Sequence, residues 1–117
     1  YGRMFRVNDT INNGLYRPGS FYRGVSYSLL YDSIKAANGF TQYRDPLAQA
    51  PYAFNPERKI LVTYDDSASV RLKTQYAIDR KLGGIMFWQL ADDKFSKGLL
   101  EVIYNTNMKA IKKDGDH

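Results

Sequence analysis

Residues Ile85-Met86-Phe87-Trp88, continued after Gln89 by Leu90-Ala91, form the longest apolar run of the chain and stand directly behind Gly83-Gly84. The run falls well short of the ~18–20 apolar residues of a membrane span. It also lacks the alternation of a half-buried strand. It therefore predicts a strand over 85–90 that is buried on both faces, as in a parallel sheet. Such a strand needs a neighbour on each side. The chain has 117 residues, and a closed eight-fold (β/α) barrel needs about 250. The strand is thus expected to belong to a sheet that these residues cannot complete.

The flanking segments fit this picture. Asp66 or Ser67 begins a predicted helix that runs to about Lys81 and is ended by Gly83-Gly84. A last helix is predicted over 97–112, with Leu99, Leu100, Ile103, Met108 and Ile111 giving it an apolar face. Upstream, the pattern is different. Residues 1–7 alternate, placing Tyr1, Arg3, Phe5 and Val7 on one face and Gly2, Met4 and Arg6 on the other. Residues 8–20 carry turn chemistry in Asn12-Asn13-Gly14 and Pro18-Gly19, and an extended segment over 21–25 follows. Ser26 to Asn38 reads as a helix with Leu29, Leu30 and Ile34 as its stripe and Gly39 behind it. Three strands are predicted next: 40–43, 52–54 and 59–64. The last two are joined as a hairpin by Asn55-Pro56-Glu57-Arg58, and Pro51 points to an edge position for the strand at 52–54.

Composition narrows the chemistry. The chain is 44% hydrophobic and 25% charged, which is a globular balance. With no cysteine, thiolate metal sites, disulfides and thiol nucleophiles are excluded. The single histidine is the last residue, His117, so metal centres or triads built on imidazole are not expected. The formal charge of +5 raises the question of nucleic acid, but the seventeen Lys and Arg are scattered and their longest runs are pairs. No basic stripe or nucleic-acid motif is present, so no nucleic-acid partner is expected. Ten Tyr among 15% aromatics suit a surface that handles sugars, and equally suit ordinary strands. The chain opens on Tyr1-Gly2-Arg3 without a start methionine or leader, and reads as part of something longer.

Three stretches carry a family likeness: Tyr1-Gly2-Arg3; Tyr64-Asp65-Asp66 followed by Ser69-Val70-Arg71-Leu72-Lys73 and Tyr76-Ala77; and Leu82-Gly83-Gly84-Ile85-Met86-Phe87-Trp88 with Asp92-Asp93 behind it. Together, and in this order, they resemble the C-terminal part of glycoside hydrolase family 18, the chitinases. Asp45-Pro46-Leu47-Ala48 and Ala50-Pro51-Tyr52 also look like the insertion domain of that family. The resemblance implies an α+β chain in which residues 1–6 end barrel strand seven and residues 7–65 form an insertion domain, an antiparallel sheet with a packed helix. Residues 66–117 would be a helix-strand-helix remnant of the C-terminal end of a (β/α)8 barrel, comprising helix seven, strand eight and helix eight.

It also implies an activity. Family members hydrolyse β-1,4-linked N-acetylglucosamine polymers with retention, the sugar's own acetamido oxygen acting as nucleophile and a protein Glu as general acid. The acid sits in an Asp-x-x-Asp-x-Asp-x-Glu run. The chain has only Glu57 and Glu101, and neither has an Asp two residues before it. The 117 residues alone are therefore expected to be inactive, and to contribute a cleft wall and a Trp floor. By resemblance Trp88 is that floor, and Tyr1 and Arg3 hydrogen-bond sugar hydroxyl or acetamido groups. From position alone, Trp88 reads first as core, and the other two read equally as a solvated strand end. Asp65, Asp66, Asp92 and Asp93 are read as helix caps rather than catalytic acids. The aromatics Tyr22, Tyr27, Tyr31, Tyr43, Tyr52 and Phe54 are read as cleft wall or sheet packing. No metal or cofactor is implied. The expected partner is an N-acetylglucosamine-containing polysaccharide, with secretion, the periplasm or the cell surface as the setting. A non-catalytic carbohydrate-binding protein of the same fold is the alternative. Strand 85–90, left without neighbours, is expected to make the isolated piece self-associate.

Overall fold

A computed structural model describes residues 1–115; His117 lies outside the described residues. The chain divides into two units, Tyr1–Asp65 and Asp66–His117. The first is built on five antiparallel strands: β1 (Gly2–Val7), β2 (Gly19–Val25), β3 (Thr41–Asp45), β4 (Ala50–Asn55) and β5 (Ile60–Thr63), in the spatial order β2-β1-β5-β4-β3. One helix, α1 (Tyr27–Ser33), connects β2 towards β3. The second unit carries α2 (Ser67–Asp79) and α3 (Leu99–Gly115). This is the expected α+β class.

The alternation of residues 1–7 becomes the strand next to the edge. Gly2 and Met4 are buried while Arg3 is exposed. The absence of a side chain at Gly2 is required, because a Cβ there would lie 2.9 Å from Leu30 Cδ1 and 3.1 Å from Val25 Cγ1. Of the predicted stripe, Leu30 and Ile34, the residue just past α1, are fully buried, whereas Leu29 is exposed. Hence α1 covers the Gly2/Met4 face. The opposite face, which carries Val7, Leu61, Phe54 and Tyr52, forms a second cluster with Leu15 and Tyr43 packed on it. The β1–β2 register passes from Met4↔Arg23 to Phe5↔Phe21, so Tyr22 is the extra residue of a β-bulge.

Four expectations need correction. The helix predicted over 26–38 stops at Ser33; Ala36–Asn38 form a short 3-10 turn before Gly39, which takes the left-handed conformation (φ 89°). Three residues of the helix's far half are small or polar (Ala36, Ala37, Asn38), and Asn38 turns its side-chain amide back onto the carbonyls of Asp32 and Ser33. That bonding satisfies the helix end early. Second, β4 is not an edge strand, since it pairs with both β3 and β5. Pro51 is tolerated because the β5 ladder ends at Tyr52↔Thr63, one residue short of it.

Third, α2 ends at Asp79, and the chain reverses at Lys81 (φ 53°) ahead of the two glycines. Fourth, residues 85–89 form no strand. A strand is held by paired N–H and C=O groups, and every ladder among the described residues belongs to the first unit. The segment is irregular, with Met86 94% and Leu90 63% exposed, and it leads into a 3-10 turn, Leu90–Asp92.

Candidate functional site

The three residues expected to hold sugar lie in different units. Tyr1 and Arg3 belong to the first. Tyr1 precedes β1 and is 47% exposed. Arg3 stands opposite Gly24 on one side and Thr63 on the other, on the face of β1 away from Met4. Its guanidinium lies over the Phe21 ring at 5.1 Å, and Phe21 meets Phe5 edge-on at 5.9 Å. A cation over an aromatic face is attracted by the ring's negative face. Phe21 is itself exposed. Phe5 and Phe21 were not among the expected wall residues. Their meeting depends on the bulge at Tyr22, which the sequence does not signal.

Trp88 belongs to the second unit and is 71% exposed. Its peptide bond to Gln89 is cis. The turn that follows is tied down residue by residue. The Asp92 and Asp93 amides donate to the carbonyls of Gln89 and Leu90 (both 3.1 Å), and Gln89 Nε2 donates to the Asp92 carboxylate at 3.3 Å. Asp93 then accepts from the amides of Lys94 (2.9 Å), Leu99 (2.8 Å) and Leu100 (2.8 Å). Two of these amides open α3, so Asp93 satisfies donors that a helix leaves orphaned.

The other acidic pair behaves in the same way. The Asp66 carboxylate accepts from the Ser69 amide at 2.8 Å, and Ser69 Oγ accepts from the Asp66 amide at 2.9 Å, a reciprocal capping box at the head of α2. Glu101 accepts the Lys97 amide. Glu57 stands exposed in the β4–β5 turn. The backbone there is held by the buried Asn55, whose Oδ1 accepts from Glu57 and Arg58 at 3.1 Å each while its Nδ2 donates to the Asn38 carbonyl. Among the described residues no cluster of three or more metal-ligating side chains occurs. No described helix is long and apolar enough to cross a membrane.

Most of the aromatic set is structural. Tyr27, Tyr52 and Phe54 are buried. Tyr27, Tyr31 and Tyr64 meet edge-to-face in sequence, at 5.8 and 6.2 Å, and Tyr43 stacks on Tyr52 at 5.3 Å. Tyr16 donates to the Asp45 carboxylate at 2.8 Å; that bond holds the Tyr16 phenol above its ordinary pKa and Asp45 below its own. Arg17 forks onto Asp9, and this hydrogen bond holds Asp9 below the usual carboxylate range. Tyr22 is the exception. Its phenol is lowered first by Arg6, whose guanidinium lies over its ring at 4.3 Å, and then by the charge of Arg23.

Residues 1–93 match the family model described as glycosyl hydrolases family 18. Over 57 residues the chain is 44% identical to chitinase A1 of Niallia circulans, covering 49% of this chain and 8% of that protein. A solved glycoside hydrolase family 18 N-acetylglucosaminidase from Paenibacillus barengoltzii superposes with a TM-score of 0.80 at 35% identity, covering 91% of this chain and 31% of that one. A chitinase-like agglutinin from Robinia pseudoacacia superposes with a TM-score of 0.70 at 25% identity, covering 90% and 29%. The chain thus spans less than a third of each of these proteins.

Proposed function

The chain belongs to glycosyl hydrolase family 18, and from that membership we propose that it forms the C-terminal part of a chitinase's catalytic barrel with its insertion domain. The observation that carries this is the family match over residues 1–93, which contains both Tyr1-Gly2-Arg3 and Gly83 to Trp88. In this reading residues 1–6 end barrel strand seven, 7–65 are the insertion, and 66–117 supply helix seven, helix eight and, between them, the segment 85–90 that becomes strand eight only beside the neighbouring barrel strands. The substrate is a β-1,4-linked N-acetylglucosamine polymer met outside the cell or at its surface.

Hydrolysis proceeds with retention: the acetamido oxygen attacks the anomeric carbon while a Glu protonates the departing glycosidic oxygen. No Asp-x-x-Asp-x-Asp-x-Glu run occurs in the 117 residues, and Glu101 is engaged at α3, so the acid comes from other parts of the enzyme. Trp88 offers an indole face to the apolar C–H face of a sugar ring. Arg3, fixed on Phe21, and Tyr1 offer donors to hydroxyl or acetamido oxygens.

A second reading, a non-catalytic carbohydrate binder, is favoured by the likeness to an agglutinin of the same fold. The two are separated by assaying the whole protein on N-acetylglucosamine oligomers. The enzyme reading expects oligomer cleavage that Trp88→Ala abolishes together with binding, with the unfolding midpoint held. Binding without cleavage supports the binder. Loss of stability by ~3–5 kcal/mol in Trp88→Ala, the cost of truncating a buried aromatic, makes Trp88 core and overturns its assignment as the sugar floor.

A further inference from the structure

The face of the first-unit sheet opposite Arg3 carries a cavity of about 510 Å³, within the ~300–1,000 Å³ typical of small-ligand pockets. Its floor is apolar, built from the buried Met4, Phe40 and Ile60. Its rim is polar and charged: Tyr22, Arg23, Arg58 and Asp32.

The rim is unusual in its charge. The bulge sets Tyr22 out of register between β1 and β2, and three arginines gather round it. Arg6 lies over its ring at 4.3 Å and Arg23 at 5.7 Å, while the charge of Arg58 also reaches its phenol. Among the described residues none of these arginines is ion-paired with a carboxylate, and neither is Asp32. Like charges held together without an anion repel one another, and guanidinium forks match a carboxylate two bonds at a time. The Asp32 carboxylate on the same rim disfavours a polyanion and offers an acceptor for hydroxyl groups.

We propose that this cavity binds a sugar acid, its carboxylate held by Arg23 and Arg58, its hydroxyls by Asp32, and its C–H face by Met4 and Phe40. The site is distinct from the chitin-binding residues and stands whether or not the proposed activity does.

The test is a titration of the full chain followed by backbone NMR, using glucuronate, its methyl ester, glucose, inorganic phosphate and an N-acetylglucosamine disaccharide as probes. Glucuronate is expected to shift the amides of Met4, Tyr22, Arg23 and Arg58, with an affinity that falls as salt rises. The ester and glucose should bind about tenfold more weakly or worse, the range for losing charge-assisted hydrogen bonds. Arg23→Gln with Arg58→Gln should abolish the shifts; Arg23→Lys with Arg58→Lys, which keeps the charge but not the fork, should retain only part of the affinity. Equal binding of acid, ester and glucose overturns the proposal, as does phosphate binding as tightly as glucuronate, or shifts that avoid these residues. The comparison of acid with ester needs no variant, so a misfolded double mutant leaves the proposal open to refutation. The disaccharide should leave these amides unmoved, which separates this site from the chitin cleft.

Discussion

Asp66 shows how one carboxylate is committed to structure. Its side chain accepts from Ser69, and Ser69 answers from its own hydroxyl, so removing the carboxylate strips one orphan amide of its partner and breaks the reciprocal box. Asp66→Ala is expected to cost about 1 kcal/mol, read as a lower urea midpoint. Asp66→Asn, which keeps an acceptor oxygen, should recover most of it. A neutral Asp66→Ala would show that the cap contributes nothing. This role was legible in the sequence, because a cap needs only neighbours a few residues away. Asp93 was read as a cap too, although the amides it holds lie six and seven residues on. The partnership of Arg3 with Phe21 was not legible, because it depends on which strand β1 meets and on a bulge in that strand.

At the scale of elements, the strands and helices with local signals came out close to expectation, and those needing distant partners did not. Asn12-Asn13-Gly14 was readable as a turn. Its tightness was not: Gly14 has φ 76°, and a Cβ there would stand 2.7 Å from the Phe54 ring. Gly14→Ala therefore combines left-handed strain with a clash in the Val7–Phe54 cluster and should cost about 2 kcal/mol or more. A chemical-denaturation midpoint equal to that of the parent would contradict this. The end of α1 depends on Asn38 folding back onto Asp32 and Ser33, a bond invisible to helical periodicity. Segment 85–90 has the composition of a doubly buried strand, yet composition cannot supply the hydrogen-bonding partners that make a strand.

Two predictions belong to the whole chain. Leu82, Met86, Phe87, Trp88, Leu90 and Phe95 are all exposed. The isolated 117-residue chain is expected to self-associate as its concentration rises, and Met86→Lys with Phe95→Lys should suppress it; a monomer by light scattering across that range would refute the idea. The second concerns acid. Asp9 and Asp45 both have folded pKa values below the ordinary one, through Arg17 and Tyr16 respectively. A depressed carboxylate binds protons less readily folded than unfolded, so its contribution is complete above the ordinary aspartate pKa and lost as pH falls through the folded value. Thermal midpoints should therefore drop on the acid side of that range, and Arg17→Gln with Tyr16→Phe should flatten the drop. A slope unchanged by those variants would place the acid sensitivity elsewhere. The sequence by itself determined the class, the hairpin, the caps, and the family motifs carried by Tyr1, Arg3 and Trp88, since each is written in short-range spacing or in residue identity. Only the tertiary structure decided the strand order, the bulge at Tyr22, the arginine cluster it gathers and the irregular, strand-free course of 85–89. These rest on pairings between residues far apart in the chain, and a strand's partners and register are properties of the sheet as a whole.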